Sequence, residues 1–101
     1  MSDEDAESGD DVVVARNSEA NRYEIRVGAA LAGFAAYRPG VDRLVFTHTE
    51  IDPAFEGRGL GSRLATEALD DVRRRGLKLV PQCPFIRAFI DQHPAYADLV
   101  A

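Results

Sequence analysis

Ile51-Asp52-Pro53-Ala54-Phe55-Glu56-Gly57-Arg58-Gly59-Leu60-Gly61-Ser62 separates a run with the composition of a strand from one with the period of a helix. Three glycines alternate at 57, 59 and 61, and the helical pattern begins on top of them. Glycine takes φ > 0 without penalty and lacks a Cβ, so a ligand can approach its backbone closely. The first turn of a helix has N–H groups with no intrahelical acceptor, and the helix dipole adds partial positive charge there. Residues Gly57, Arg58, Gly59, Leu60, Gly61 and Ser62 therefore make an anion cradle suited to a phosphate or diphosphate.

The helix beyond the cradle is the clearest element. Leu60, Leu64, Ala65, Ala68, Leu69 and Val72 form one stripe at a 3.6-residue period. Asp70/Arg74 and Asp71/Arg75 sit four apart with the acid first, the favourable order. Arg73, Arg74 and Arg75 gather at the carbonyl end, and Gly76 is a natural terminator. Upstream, Val12 to Ala15 reads as a strand. Arg22 to Val27 alternates, with Tyr23, Ile25 and Val27 on one side, and Gly28-Ala29 makes a hairpin turn. Ala30 to Tyr37 is apolar enough for a central strand covered on both faces, broken by Arg38-Pro39-Gly40. Arg43 to Ile51 is a fourth strand; without a bulge, Leu44, Phe46, His48 and Glu50 would share one face. Downstream come a short strand, Leu77 to Val80, and a helix over about 84–91 that starts at Pro84 and buries Phe85, Ala88 and Phe89. His93-Pro94 ends that helix, and Ala95 to Val100 adds a further turn. The fold class is thus α+β, a mixed sheet: an antiparallel meander, a helical crossover to a parallel fifth strand, and a C-terminal helix.

Composition narrows the function. The 101 residues form one domain with an ordinary 46% hydrophobic content. The net charge of -5 belongs to residues 1–11, which carry six acids and no base. Such a segment is expected to be a disordered acidic tail preceding the domain at 12–101. The other ninety residues hold eleven acids and twelve bases, too even a balance for a nucleic-acid partner. No apolar run approaches the roughly 20 residues of a bilayer span, so no membrane partner is expected. A single cysteine and an acidic, apolar-poor start point to the cytoplasm. Two histidines and one cysteine, widely spaced, make no metal site.

The glycine stretch fits neither of two common phosphate loops. A P-loop needs Lys-Ser/Thr after its last glycine, and Gly61-Ser62-Arg63 lacks it. A dinucleotide fingerprint fails on its third glycine and needs a larger frame than this chain holds. Glu56-Gly57-Arg58-Gly59-Leu60-Gly61, preceded by Ile51-Asp52-Pro53 and followed by Leu64, instead resembles the acetyl-CoA loop of the GNAT superfamily of N-acetyltransferases, Arg/Gln-x-x-Gly-x-Gly/Ala. Glu56 departs from it, placing a carboxylate where a cation or amide is usual. His48-Thr49-Glu50, Val80-Pro81-x-Cys83-Pro84-Phe85 and His93-Pro94-x-Tyr96 extend the resemblance over about Val12 to Val100, to a small single-domain GNAT branch whose acceptor is not established.

That resemblance implies a minimal GNAT-like fold whose fourth and fifth strands diverge around acetyl-CoA as co-substrate. Its pantetheine amides would pair with the backbone near Thr49 and Ile51, its diphosphate would sit on residues 57–62, and its thioester would lie near His48, Glu50 and Cys83. Cys83, held between prolines at a helix start that favours thiolate, is a candidate relay nucleophile or base; equally, an isolated cysteine is often a small buried hydrophobe. His48 is a candidate base, or a group that poises Cys83, and Glu50 a candidate partner. No helical segment separates the first two strands, which leaves an acceptor side open to an exposed protein or peptide amine, or closed by a second subunit. The chain is therefore expected to be a monomer or homodimer. Two other readings stay open: a non-catalytic CoA-binding sensor or accessory module, and an interaction domain whose glycines only make a turn.

Overall fold

The structure, a computed structural model, describes residues 11–101. The expected acidic tail lies outside the described residues except for Asp11, whose C=O accepts from Gly28 N–H at 2.9 Å. Five strands, β1 (Val12–Asn17), β2 (Arg22–Val27), β3 (Ala30–Gly40), β4 (Arg43–Ile51) and β5 (Lys78–Pro81), form one sheet in chain order. All neighbours are antiparallel except β4 and β5, which are parallel. Helix α1 (Leu60–Arg74) makes the crossover between them, as parallel neighbours require. Helix α2 (Pro84–Gln92) and a 3-10 segment, Pro94–Leu99, follow β5.

The meander arises from its turns. Gly28, at φ 59°, begins the two-residue loop between Val27 and Ala30. The break expected at 38–40 is absent: β3 runs to Gly40, and the turn is Val41-Asp42, with Asp42 at φ 62°. A two-residue loop makes Gly40 and Arg43 the pair that exchanges hydrogen bonds, so Pro39, opposite Leu44, stands where no N–H is needed. β3 is also not covered on both faces. Ala35 and Tyr37 are buried under the helices, while Leu31, Phe34 and Ala36 on the other face are only half-buried.

One register shift matters most. Ala36 pairs with His48, but Tyr37 pairs with Phe46, leaving Thr47 as the extra residue of a β-bulge. A single inserted residue reverses the alternation. Leu44 and Phe46 therefore face the core, whereas His48 and Glu50 face away from it, correcting the expectation of one shared face.

The core lies between the sheet and α1. All six residues of the α1 stripe are buried, and each large apolar side chain so buried contributes on the order of 2 kcal/mol. Facing them, the Tyr23, Tyr37 and Phe46 rings meet with centroids 5.6 to 6.1 Å apart. The Tyr23 hydroxyl donates to Asp71 Oδ2 on α1 at 2.6 Å. Asp71 also takes Arg75 and Arg74, but Asp70 accepts from Tyr96 at 2.8 Å instead of pairing with Arg74. Arg73 binds Asp98 and the Ala95 carbonyl, holding the C-terminal turn on α1. In α2 the buried residues are Ile86, Phe89 and Ile90, not Phe85 and Ala88.

Candidate functional site

Asp52 opens the loop by capping a 3-10 turn, Pro53–Phe55, its Oδ1 accepting from Ala54 N–H at 2.9 Å. Gly57 and Gly59 then take φ of 84° and 74°, conformations that cost an L side chain about 1–2 kcal/mol. A Cβ at either would meet nothing within 4 Å, so both face open space. Gly61 is glycine for another reason: a Cβ there would lie 2.9 Å from Phe85 Cζ. Gly59 is the N-cap of α1 and supplies no side-chain cap. Arg63 N–H makes the first intrahelical bond, to Gly59 C=O. The N–H groups of Leu60, Gly61 and Ser62 are left without intrahelical acceptors at the positive end of a 15-residue helix.

β4 outruns β5. Their pairing covers only Arg43 to Phe46, and the last link is Cys83 N–H to Phe46 C=O at 2.9 Å. Beyond it, Asp52 N–H turns to Ala32 C=O on β3, and Glu50 C=O lies against Gly33 of β3. Strand alternation turns the main-chain groups of Thr49 and Ile51 the other way, to the edge that β5 leaves bare. A cleft of about 400 Å³ joins this edge to the glycine loop, running from Thr49 and Ile51 past Leu60, Gly61 and Ser62. Phe55 and Phe85 form its apolar sides. The sequence offers no local sign of Phe55 as a wall, and it places Phe85 in the core under α2 instead of in the cleft, whereas Ile86, Phe89 and Ile90 carry the actual period. At the lip, the Arg58 guanidinium lies 5.3 Å over the Phe55 ring, and the exposed Glu56 lines the cleft.

The other chemistry-bearing residues divide between the two faces of the sheet. Cys83, the N-cap of α2, is 2% exposed, and its Sγ lies 3.2 Å from Thr49 Oγ1. His48 and Glu50 are on the opposite face, Nε2 3.7 Å from Oε1, and both side chains are more than 60% exposed. The Phe34 ring stands beside His48, centroids 5.9 Å apart. His93 takes no part: it ends α2, its Nδ1 2.8 Å from Phe89 C=O and its ring stacked on Phe89. No cluster of potential metal ligands occurs among the described residues.

An open glycine loop thus lies at the mouth of the crossover helix, next to a parallel strand pair that parts after four residues. The sequence profile of the GCN5-related N-acetyl-transferases matches residues 22–99. The chain belongs to this family. It is 29% identical to Protein NATD1 of Mus musculus over 90 residues, 87% of this chain and 82% of the relative. With Protein NATD1 of Xenopus tropicalis it is 38% identical over 47 residues, a match that spans 46% of this chain and 43% of the relative. The fold agrees with that of a GCN5-like protein from Staphylococcus aureus solved by NMR, at a TM-score of 0.67 and 19% identity, covering 88% of this chain and 87% of that one.

As a GCN5-related N-acetyltransferase domain, the chain is compact to the point of lacking any helix between β1 and β2, where only a turn at 18–21 intervenes. The residues of the cleft fit a CoA-type ligand on three counts. Open space lies over Gly57 and Gly59, unpartnered amides lie at 60–62, and a bare strand edge lies at Thr49 and Ile51. Glu56 alone opposes an anion there. No helix of the described residues is long and apolar enough to cross a membrane.

Proposed function

We propose that this domain is an acetyl-CoA-dependent N-acetyltransferase acting on an amine presented from the bare face of the sheet. The observation that carries the reading is the parting of β4 from β5 after Phe46, directly above the glycine cradle. The amides at 57–62 would hold the diphosphate, and the main-chain edge at Thr49 and Ile51 would pair with the pantetheine amides. Acetyl-CoA supplies an acyl carbon activated as a thioester. The protein's share is to remove a proton from the amine and to stabilise negative charge on the acyl oxygen.

His48 is suited to the first task. Its Nε2 faces Glu50 at 3.7 Å, which leaves Nδ1 as the nitrogen open to an acceptor amine. Main-chain N–H groups of β4 beyond its pairing with β5 suit the second. Cys83 lies at the inner end of the gap, but its Sγ is buried against Thr49. That placement supports direct transfer, with Cys83 positioning Thr49, over an acetyl relay.

CoA titration, turnover with an amine library and intact-mass spectrometry test the proposal. His48→Gln is expected to keep CoA affinity and lose about 100-fold or more in kcat. Cys83→Ala is expected to stay within about tenfold of the parent. An adduct of ~42 Da on Cys83 in the parent would establish the relay and overturn direct transfer. CoA binding with no turnover of any amine would make the domain a CoA-binding module, and the enzyme assignment would fall.

A further inference from the structure

A second cavity, of about 250 Å³, opens where the ends of β3 and β4 meet, next to Phe34 and Glu50. Leu31, Phe34 and Pro53 give it apolar walls, and its charged residues are two carboxylates, Glu50 and Asp52, with no base. Phe34 links it to His48 through the ring contact. The nearby bases on this face are already engaged. Arg22 lies 4.7 Å over the Phe34 ring but pairs with the buried Glu24 at 2.8 Å, and Arg26 reaches the same carboxylate at 3.3 Å. Glu24 is held below its ordinary carboxylate value, by its bond from Arg22 above all, so it keeps its charge and keeps both guanidinium groups occupied. Sites for whole drug-sized ligands run from about 300 Å³ upward. This cavity falls just below that range: it has room for a short aliphatic chain, an aromatic wall that favours a cation, and carboxylates to pair with it.

We infer that this cavity selects the acetyl acceptor: an aliphatic primary amine whose short apolar stem leads to a second positive charge. The reactive nitrogen lies at His48, the stem on Phe34 and Leu31, and the second cation at Glu50 and Asp52. This rests on the acetyltransferase reading above and names its acceptor class. Free diamines and lysines with a basic neighbour share this chemistry, and the assay separates the two.

Turnover of the full chain with acetyl-CoA is compared for 1,5-diaminopentane, pentylamine and 5-aminopentan-1-ol, and for Lys-Arg and Lys-Glu peptides. The carboxylates are exposed, so a preference of about threefold to fivefold in KM is expected for each doubly cationic acceptor over its counterparts. Asp52→Asn, which keeps the Oδ1 that caps the 3-10 turn, should narrow that preference. A preference confined to the diamine or to the peptide identifies the source of the acceptor. Amide shifts in NMR give a readout independent of turnover: the diamine should move Phe34 and Glu50 without moving 57–62. Equal KM values, or diamine shifts elsewhere, overturn the subsite. If CoA leaves 57–62 unmoved and nothing turns over, the acetyltransferase reading fails, and the diamine shifts still decide whether the cavity binds cations.

Discussion

Alanine substituted at Gly59 and at Gly28 separates backbone strain from ligand contact. The two glycines have φ of 74° and 59°, and at neither would a Cβ meet an atom within 4 Å. Nothing in the free protein obstructs either methyl group, so the cost is the left-handed conformation itself, about 1–2 kcal/mol in each case. For a domain of this size, 1 kcal/mol corresponds to about 4–8 °C in Tm. Both variants should therefore melt lower by similar amounts, on the order of 5–15 °C, by circular dichroism. Their CoA binding should differ. Gly28 lies in the β2–β3 hairpin, whereas the open space over Gly59 is the cradle itself. Calorimetric titration of CoA is expected to give an unchanged Kd for Gly28→Ala and at least a tenfold weaker one for Gly59→Ala. Equal losses of stability with equal, parental affinities would refute the placing of a diphosphate over the loop. A much larger stability loss at Gly59 would refute the matched-strain premise.

Two further outcomes follow from the electrostatics. Glu56→Gln removes the one carboxylate at the mouth of the cradle; two unit charges 4 Å apart in water interact by about 1 kcal/mol, so CoA should bind up to about fivefold tighter, with the gain shrinking as salt rises. An unchanged Kd at low salt would show that Glu56 does not face the anion. The phenol of Tyr23 is raised above its ordinary value of 10.0, by burial first and by its bond to Asp71 second. The folded state then holds this proton where the unfolded state releases it. Its stabilising contribution is complete below pH 10 and is lost as pH rises above that value. In urea titrations Tyr23→Phe should cost about 1 kcal/mol at pH 7 and show a shallower alkaline decline; Tyr96, also raised, keeps a remainder. A parental alkaline slope in Tyr23→Phe would refute this account.

The legible part of the chain is the part governed by local periodicity. The α1 stripe is unambiguous because six apolar residues repeat at one period and all six are buried, and Gly76, at φ 68°, ends the helix as its position after three arginines suggests. The glycine loop is legible because 57 and 59 need φ > 0. The reason for Gly61, by contrast, depends on Phe85, 24 residues away, and no local pattern contains it. Asp70 was paired with Arg74 by the i,i+4 rule, but the Tyr96 hydroxyl claims its carboxylate. A half-buried partner from another element outcompetes an exposed neighbour worth only a few tenths of a kcal/mol.

The bulge at Thr47 is the case with the largest consequence for the site. Period-2 reading of β4 puts Leu44, Phe46, His48 and Glu50 on one face, which would set an ionisable pair into the packed layer under α1. Burying an imidazole and a carboxylate there would cost several kcal/mol unless both were fully bonded. One extra residue removes that cost: the apolar pair stays inside and the ionisable pair turns outward, 3.7 Å apart. The same shift brings Thr49 and Ile51 to the helix side, with their main-chain groups at the edge β5 has left. A hydrophobic-to-polar change at fixed parity, Phe46 to His48, is thus itself a sign in the sequence that the strand slips between them. Deleting Thr47 would remove the bulge and leave the faces as they are, because the pairs Ala36–His48 and Tyr37–Phe46 become consecutive and His48 and Glu50 still point outward. The expected result is a stability within about 1 kcal/mol of the parent, read by urea denaturation, and a fall of several kcal/mol would overturn this account of β4.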